Sequence, residues 1–382
     1  MVHLYKQPEI IELKENALER LPEICSKLGL ERLYVFSGPT DTRKIAETVI
    51  KILANSEYIT PYQKIPVPIY AATEQNAIYV AQLLKRQKAR GAVAVGGGVP
   101  IDVVKAGSYR MKIPYITIPT SPSNDSPASP TTSLRRGTKY FYSTRVNPPI
   151  AVVEDLSILV NAPIESFRNG VGEVISKYSS VRDFEIARSF SRRFREKYPE
   201  SLVRDFERRM IEATDGLSKK IDEMIDMNVN LQDRNSEYVK EFVSKIVEGI
   251  NTSGIIMCLM GNTQIASGGE HLISHSIDML QEYPGPHGQQ CGMGTILTSY
   301  ILENKYIDWR ILKRRLEFIG AATKSKELGI NDSVIIKAVG TEAKKLGEKR
   351  NRISVFELVE MNDKIAEEVC RATGVINNSM KE

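Results

Sequence analysis

Over the first 160 residues, short apolar runs alternate with longer amphipathic stretches. The runs Pro8–Leu13, Leu33–Phe36, Ile65–Tyr70, Ala92–Val95 and Tyr115–Ile118 have the length and branching of strands. Between them, Ala17–Leu28, Thr42–Leu53, Thr73–Ala89 and Ile101–Tyr109 repeat apolar residues every three or four positions and predict helices, the first closed by Gly29. This alternation predicts a mainly parallel sheet covered by helices, an α/β unit whose C-terminal strand edge is where ligands bind. The segment Pro119–Pro130, PTSPSNDSPASP, follows a strand and must be a loop at that edge. Two more strands are expected around Tyr140–Tyr142 and Ile150–Val153. From Glu165 to Thr373 the period is helical throughout, as in Leu217–Met227 and Glu237–Ile250. The expectation is therefore an α/β domain over 1–160 and an all-helical domain over 161–382.

A length of 382 residues suffices for two cores, and 42% hydrophobic with 26% charged residues is ordinary globular composition. The net charge of +5 is too small to argue for nucleic acid, and the basic runs Arg192–Arg195 and Lys313–Arg315 read as solvated helix faces. Cys25, Cys258, Cys291 and Cys370 show no short spacing, so neither a zinc knuckle nor a disulfide framework is indicated. The N-terminal MVHLYKQPEIIELKEN is too polar for a signal peptide, and the longest apolar run, Ile255–Met260, is far shorter than a membrane span. A cytoplasmic protein without a membrane span, frayed beyond Asn377, is the expectation.

The chain holds four histidines: His3, and then His271, His275 and His287 close together. Imidazole is the commonest metal ligand and titrates nearest neutrality, so the cluster points to a metal or proton-handling site. Ser267 and Glu270 have capping-box spacing, which places His271 in a first helical turn and His275 one turn further on the same face. Pro284-Gly285-Pro286 then breaks the chain just before His287. A helix unbroken to Glu282 would end about 16 Å from His271. A shared site thus demands a shorter helix and a loop that doubles back. Leu272, not Glu, follows His271, which excludes the zincin protease motif. Elsewhere, Val95-Gly96-Gly97-Gly98 ends a strand and opens a helix, a context that is either a tight turn or a cradle for a diphosphate at a helix N-terminus. Asp102 falls in the first turn expected there, where a carboxylate suits the helix dipole in any case. Glu173 and Lys177 lie four apart, as a surface ion pair would, or as a carboxylate ligand beside a cation; one carboxylate with two imidazoles is an accepted zinc set with an open position.

Taken together, VGGGVPIDVVK, IPTSPSNDSPASP, GVGEVISK, SGGEHLISH and HGQQCGMGT resemble the archaeal-type sn-glycerol-1-phosphate dehydrogenases. These belong to the superfamily of iron-containing alcohol dehydrogenases, glycerol dehydrogenases and dehydroquinate synthases. The resemblance runs in unbroken order from about residue 10 to residue 360. It implies a dinucleotide-binding N-terminal domain, a helical C-terminal domain and an active site in the cleft between them. By the same resemblance NAD or NADP binds at Gly96, Gly97, Gly98, Val99, Pro100, Ile101 and Asp102 and at Thr120, Ser121, Pro122 and Ser123, with Ser129 beside them. One divalent metal, zinc by the chemistry of its ligands, falls on Glu173, His271 and His287. Asp125 and His275 fall on substrate contacts, while Lys177, by its place in the sequence, either favours the anionic phosphate or pairs with Glu173. The implied reaction is the reversible reduction of dihydroxyacetone phosphate to sn-glycerol 1-phosphate, the backbone of archaeal ether lipids, by an enzyme that forms homo-oligomers.

Three departures bear on metal affinity and substrate identity. The family has Asp where this chain has Glu173, and His-Asp-Gly where it has Asn124-Asp125-Ser126; Pro100 and Pro127 are unusual in their loops. Competing readings are another polyol dehydrogenase, a dehydroquinate-synthase-like cyclase, and a metal-free relative that only binds a nucleotide. After Val35-Phe36 no acid occurs until Asp41, and Arg43 and Lys44 stand near, which predicts that NADPH is accepted as well as NADH.

Overall fold

The structure is a computed structural model that describes residues 6–54, 58, 63–136, 140–192, 198–282 and 284–377. His3, Arg193 to Arg195 and the tail from 378 onward lie outside the described residues. The chain divides into two compact units. The first comprises 1–163 with 234–244 and 254–261; the second comprises 164–233, 245–253 and 262–382. A single division near residue 160 misses those two inserted segments. Both belong to one long helix whose period looks the same from end to end.

In the first unit, strands β1 (Ile10–Lys14), β2 (Leu33–Ser37), β3 (Val67–Pro68), β4 (Gly91–Gly96), β5 (Tyr115–Pro119) and β8 (Ala151–Asp155) form a parallel sheet in the order β1-β8-β5-β4-β2-β3. Its two faces follow from alternation along the strands. Val93 and Val95 enter the core shared with helices α1 (Leu21–Lys27) and α2 (Asp41–Ala54). Ala92 and Ala94 enter the core shared with α3 (Glu74–Arg86) and α4 (Gly98–Met111). Expected strand Ile65–Tyr70 shrinks to two paired residues at the sheet edge, because Pro66 and Pro68 have no N–H for a ladder. The expected first helix begins as a 3-10 turn, Ala17–Arg20, with Pro22 inside the first turn of α1.

A two-stranded antiparallel ribbon pairs β6 (Thr131–Arg136) with β7 (Tyr140–Arg145). The sequence pattern placed only β7, since Thr-Thr-Ser-Leu-Arg-Arg has no apolar alternation. A four-residue turn of helix, α5 (Leu156–Leu159), ends this part of the unit.

Among the described residues the further α-helices are α6 (Ile164–Ile175), α7 (Lys177–Phe190), α8 (Glu200–Asp226), α9 (Glu237–Met260), α10 (Gly269–Leu280), α11 (His287–Leu302), α12 (Trp309–Phe318), α13 (Asp332–Lys337), α14 (Ala343–Lys349) and α15 (Asp363–Ala372). Among the described residues, α9 is long and apolar enough to cross a membrane by length and composition, with 67% of its most apolar window buried inside the protein. The sequence reading passed over it by considering only the unbroken run Ile255–Met260.

Helices α6 and α11 touch through glycine. A Cβ on Gly172 would overlap the Gly288 carbonyl, and one on Gly288 would overlap the Asn169 carbonyl. Both glycines directly neighbour histidine or carboxylate donors, so this close backbone approach sets the spacing of the site described next.

Candidate active site

The second unit gathers Glu173, His271 and His287 from three helices. Glu173 lies in the last turn of α6, His271 in the first turn of α10, and His287 opens α11. Helix α10 runs 12 residues, and α11 packs against it. A return of six residues spans up to about 20 Å, enough to bring His287 back to the beginning of α10. The His271 and His287 rings are 5.1 Å apart between centroids, and His275 is 5.4 Å from His287 and 6.3 Å from His271. His271 Nε2 is 3.6 Å from Glu173 Oε1, and His287 Nε2 is 4.0 Å from Glu173 Oε2.

Each imidazole is oriented by a partner on its other nitrogen. His271 Nδ1 meets Glu270 Oε1 at 2.8 Å. Glu270 also accepts the Gly268 N–H at 2.7 Å, so the expected capping role survives in part, with the cap at Gly268 instead of Ser267. His287 Nδ1 meets Ser274 Oγ at 2.9 Å. The Ser274 hydroxyl donates to Gln290 Oε1 at 2.9 Å, and Gln290 Nε2 donates to Asp278 Oδ1 at 3.1 Å and to the Gly285 carbonyl at 3.0 Å. A serine has one proton to give, so Ser274 Oγ accepts the hydrogen bond donated by His287 Nδ1. The Nε2 atom of each ring is therefore the one turned toward Glu173. Outer partners of this kind fix the tautomer of metal-binding histidines.

Lys177 places its ammonium 2.6 Å from Glu173 Oε1 and 2.9 Å from the Ala266 carbonyl. The Lys177 and Glu173 side chains are only 1% and 3% exposed, so this is no surface pair. Burial disfavours the charged form of Glu173, but the ammonium and the imidazoles override it and hold the carboxyl well below its usual range. Burial, reinforced by the neighbouring His287, Arg350 and His271, keeps the His275 pKa well below the usual imidazole value.

A fourth donor escaped the sequence reading. Cys291, one turn beyond His287 on α11, sets its Sγ 3.5 Å from His287 Nε2. One donor atom each from Glu173, His271, His287 and Cys291 can be chosen so that all lie within 4.8 Å of one another. Burial pushes the thiols of Cys25, Cys258 and Cys370 up to about 12. Burial acts on Cys291 too, yet the His271 and His287 imidazoles hold its thiol below the ordinary value. Spacing of four from His287 was the available signal. Carboxylate, imidazole and thiolate donors at these separations fit a divalent ion such as zinc.

In the first unit the chain leaves β2 toward β3 and leaves β4 toward β5, in opposite directions across the sheet. Ligand crevices form at such a switch of direction, outside the strand C-termini. Gly38 after β2 and Gly96 at the end of β4 meet there: a Cβ on Gly96 would lie 3.7 Å from the Gly38 nitrogen and 2.5 Å from Pro100 Cγ, at φ +144°. Gly97 caps α4 in extended backbone, and the helix starts at Gly98, three residues earlier than expected. The Gly98 and Val99 N–H groups head the helix, while Pro100 has none to offer. Ser121 and Asn124 side chains approach Gly97 and Gly98, so the two expected nucleotide segments are neighbours.

Asp102 consequently sits in the second turn, not the first. It accepts from Ser126 Oγ at 2.5 Å and from the Ser133 N–H at 3.0 Å. Lys105, unremarked in the sequence, is fully buried and reaches Ser126 and Ser129 hydroxyls at 3.3 Å and the Thr131 carbonyl at 2.7 Å. Ser126 thus uses the hydroxyl that a glycine would lack. The loop is further held by Thr120 N–H on the Gly96 carbonyl and by Thr117 Oγ1 on the Pro127 carbonyl. Asp125 lies beside this pair, half-buried, with its carbonyl accepting the Ser129 N–H at 3.2 Å. Pro122 is buried and Ser123 half-buried, and Ile101 belongs to the sheet core.

A parallel-sheet unit with a glycine turn at its switch point, and a helical unit carrying a His–His–carboxylate cluster, define a class of dehydrogenases. The sequence model of the iron-containing alcohol dehydrogenases matches residues 12–163. Glycerol-1-phosphate dehydrogenase [NAD(P)+] from Pyrococcus abyssi is 32% identical over 98% of this chain and 100% of its own length. The enzyme of that name from Hyperthermus butylicus is 31% identical over the same shares. Among solved structures, maleylacetate reductase from Rhizobium sp. superposes with a TM-score of 0.70 at 16% identity, covering 98% of both chains. An iron-containing alcohol dehydrogenase from Corynebacterium glutamicum gives 0.69 at 16% identity, covering 98% of this chain and 96% of its own. The chain belongs to the glycerol-1-phosphate dehydrogenase family of the iron-containing alcohol dehydrogenases, and it is an oxidoreductase.

Proposed function

We propose that this chain interconverts dihydroxyacetone phosphate and sn-glycerol 1-phosphate with NAD(P) and one divalent metal, providing the glycerol backbone for archaeal ether lipids. The observation that carries this reading is the Glu173–His271–His287 cluster, formed by the motifs shared in the resemblance and oriented from behind by Glu270 and Ser274. When bound, the metal supplies Lewis acidity at the substrate oxygen, and the nicotinamide gives or takes the hydride.

The chain's own residues bind and orient. Glu173, His271 and His287 hold the metal. Lys177 is a positioning residue that holds the Glu173 carboxylate. His275, neutral at physiological pH, hydrogen-bonds a substrate hydroxyl and can pass its proton on. Asp125 holds a second hydroxyl. The Gly96–Asp102 turn, with Thr120–Ser123 and Ser129, seats the nucleotide diphosphate. Relatives whose names include [NAD(P)+] support a cofactor of either kind.

A panel of glycerol phosphates, glycerol and simple alcohols, scored by net NADH formed, tests the reading. We expect turnover with a glycerol phosphate far above the others. Turnover confined to unphosphorylated alcohols would assign another polyol dehydrogenase, and a lyase reaction without net NADH would assign a cyclase.

A further inference from the structure

We propose that Cys291 is a fourth protein ligand of the metal, making the site a Glu–His–His–Cys set in place of a carboxylate and two imidazoles alone. The inference rests on the metal-dependent reading above and concerns this chain's own thiol. Three observations carry it.

The first is position. His287 and Cys291 are four apart on α11 and share one face, the spacing at which two helical side chains close on one ion. The second is distance. A tetrahedral angle between a Zn–S bond of about 2.3 Å and a Zn–N bond of about 2.0 Å separates sulfur from nitrogen by roughly 3.5 Å. Cys291 Sγ lies 3.5 Å from His287 Nε2. The third is the surrounding set. The sulfur belongs to a group whose donor atoms all lie within 4.8 Å of one another, and Cys291 is fully buried among them.

The chemistry of a thiolate adds a consequence. Sulfur is a soft donor and favours zinc over manganese or magnesium. A thiolate ligand therefore narrows the metals this site accepts.

The test uses the full chain stripped with a chelator and reloaded with one equivalent of Co2+. A thiolate–cobalt bond gives an intense near-ultraviolet charge-transfer band that imidazole and carboxylate do not. We expect that band in the wild type, its loss in Cys291→Ala, and its persistence in Cys370→Ala, whose thiol is buried elsewhere. Competition with a chromophoric chelator should show zinc bound at least about 100-fold more weakly by Cys291→Ala, the upper end of what even outer partners of a ligand cost. Zinc-over-manganese selectivity should fall with it. Cys291→Ser, nearly isosteric, guards against misfolding: it should keep wild-type circular dichroism and still lack the band. One equivalent of cobalt bound by the wild type without the band overturns the Cys291 assignment and leaves the metal reading intact. No cobalt bound at all overturns both.

Discussion

Replacing Glu173 by alanine takes a carboxylate away from a buried ammonium as well as from the metal cluster. The Lys177 and Glu173 side chains are 1% and 3% exposed, and the ammonium also donates to the Ala266 carbonyl at 2.9 Å. Removing one member of a buried pair costs about 3–5 kcal/mol, against less than about 0.5 kcal/mol for an exposed helical pair. At roughly 2–4 °C per kcal/mol for a unit of this size, the helical unit should melt some 6–20 °C lower. That loss of stability alone could empty the site, so a second variant must separate folding from ligation. Glu173→Ala combined with Lys177→Met replaces both charges with apolar groups, a change that is often close to neutral for stability. We expect the double variant to recover most of the melting temperature while binding no metal. Glu173→Gln should keep an acceptor for Lys177 but weaken metal and turnover, because a neutral amide oxygen is a poorer partner for a dication. Glu173→Asp should retain substantial activity, since zinc accepts either carboxylate. Calorimetry, elemental analysis of protein purified without chelators, and initial rates decide the matter. A double variant with one equivalent of metal and near-normal kcat would show that Glu173 serves only Lys177.

Glu270→Gln should weaken zinc about 10–100-fold in chelator competition by loosening the His271 ring; an unchanged affinity would mean the ring is held by other contacts. Gly172→Ala should cost about 1–3 kcal/mol of stability and lower metal content together, since the new Cβ meets the Gly288 carbonyl; calorimetry that finds no change would contradict the close approach of α6 and α11. NADPH and NADH should give kcat/KM values within about a hundredfold, or about 2.7 kcal/mol, and Arg43→Ala should lower the NADPH value more. Arg43 is at present shared with Glu47 at 3.2 Å on the exposed start of α2, so a uniform effect on both cofactors would exclude it as a phosphate contact.

Periodicity carried the alternating half of the fold, because buried parallel strands and amphipathic helices leave strong local patterns. It failed where tertiary context decides. Proline cut β3 short, the ribbon strand Thr131–Arg136 has Leu134 as its single apolar residue, and membership of α9 in two units has no local mark. Of the candidate site, the carboxylate and two imidazoles that converge were legible from spacing and resemblance, but their supports were not. Glu270 looked like a helix cap, Ser274 and Gln290 like ordinary helix residues, and Cys291 like one unpaired thiol among four. Each acquires its role only when α11 packs against α10. Gly172 left no local mark of its role either, which is close packing against Gly288.

The most direct measurement is stereochemical. Metal-replete protein is given sn-glycerol 1-phosphate and its 3-phosphate mirror partner separately, with NAD+ or NADP+ in excess, and kcat/KM is determined for each. The proposed reading gives the substrate three contacts, the metal, His275 and Asp125, and three suffice to distinguish enantiomers. We expect the 1-phosphate to be strongly preferred and its oxidation to stop on chelation and resume with Zn2+. Equal kcat/KM for the two, or a rate indifferent to the chelator, would contradict a metal-dependent sn-glycerol-1-phosphate dehydrogenase.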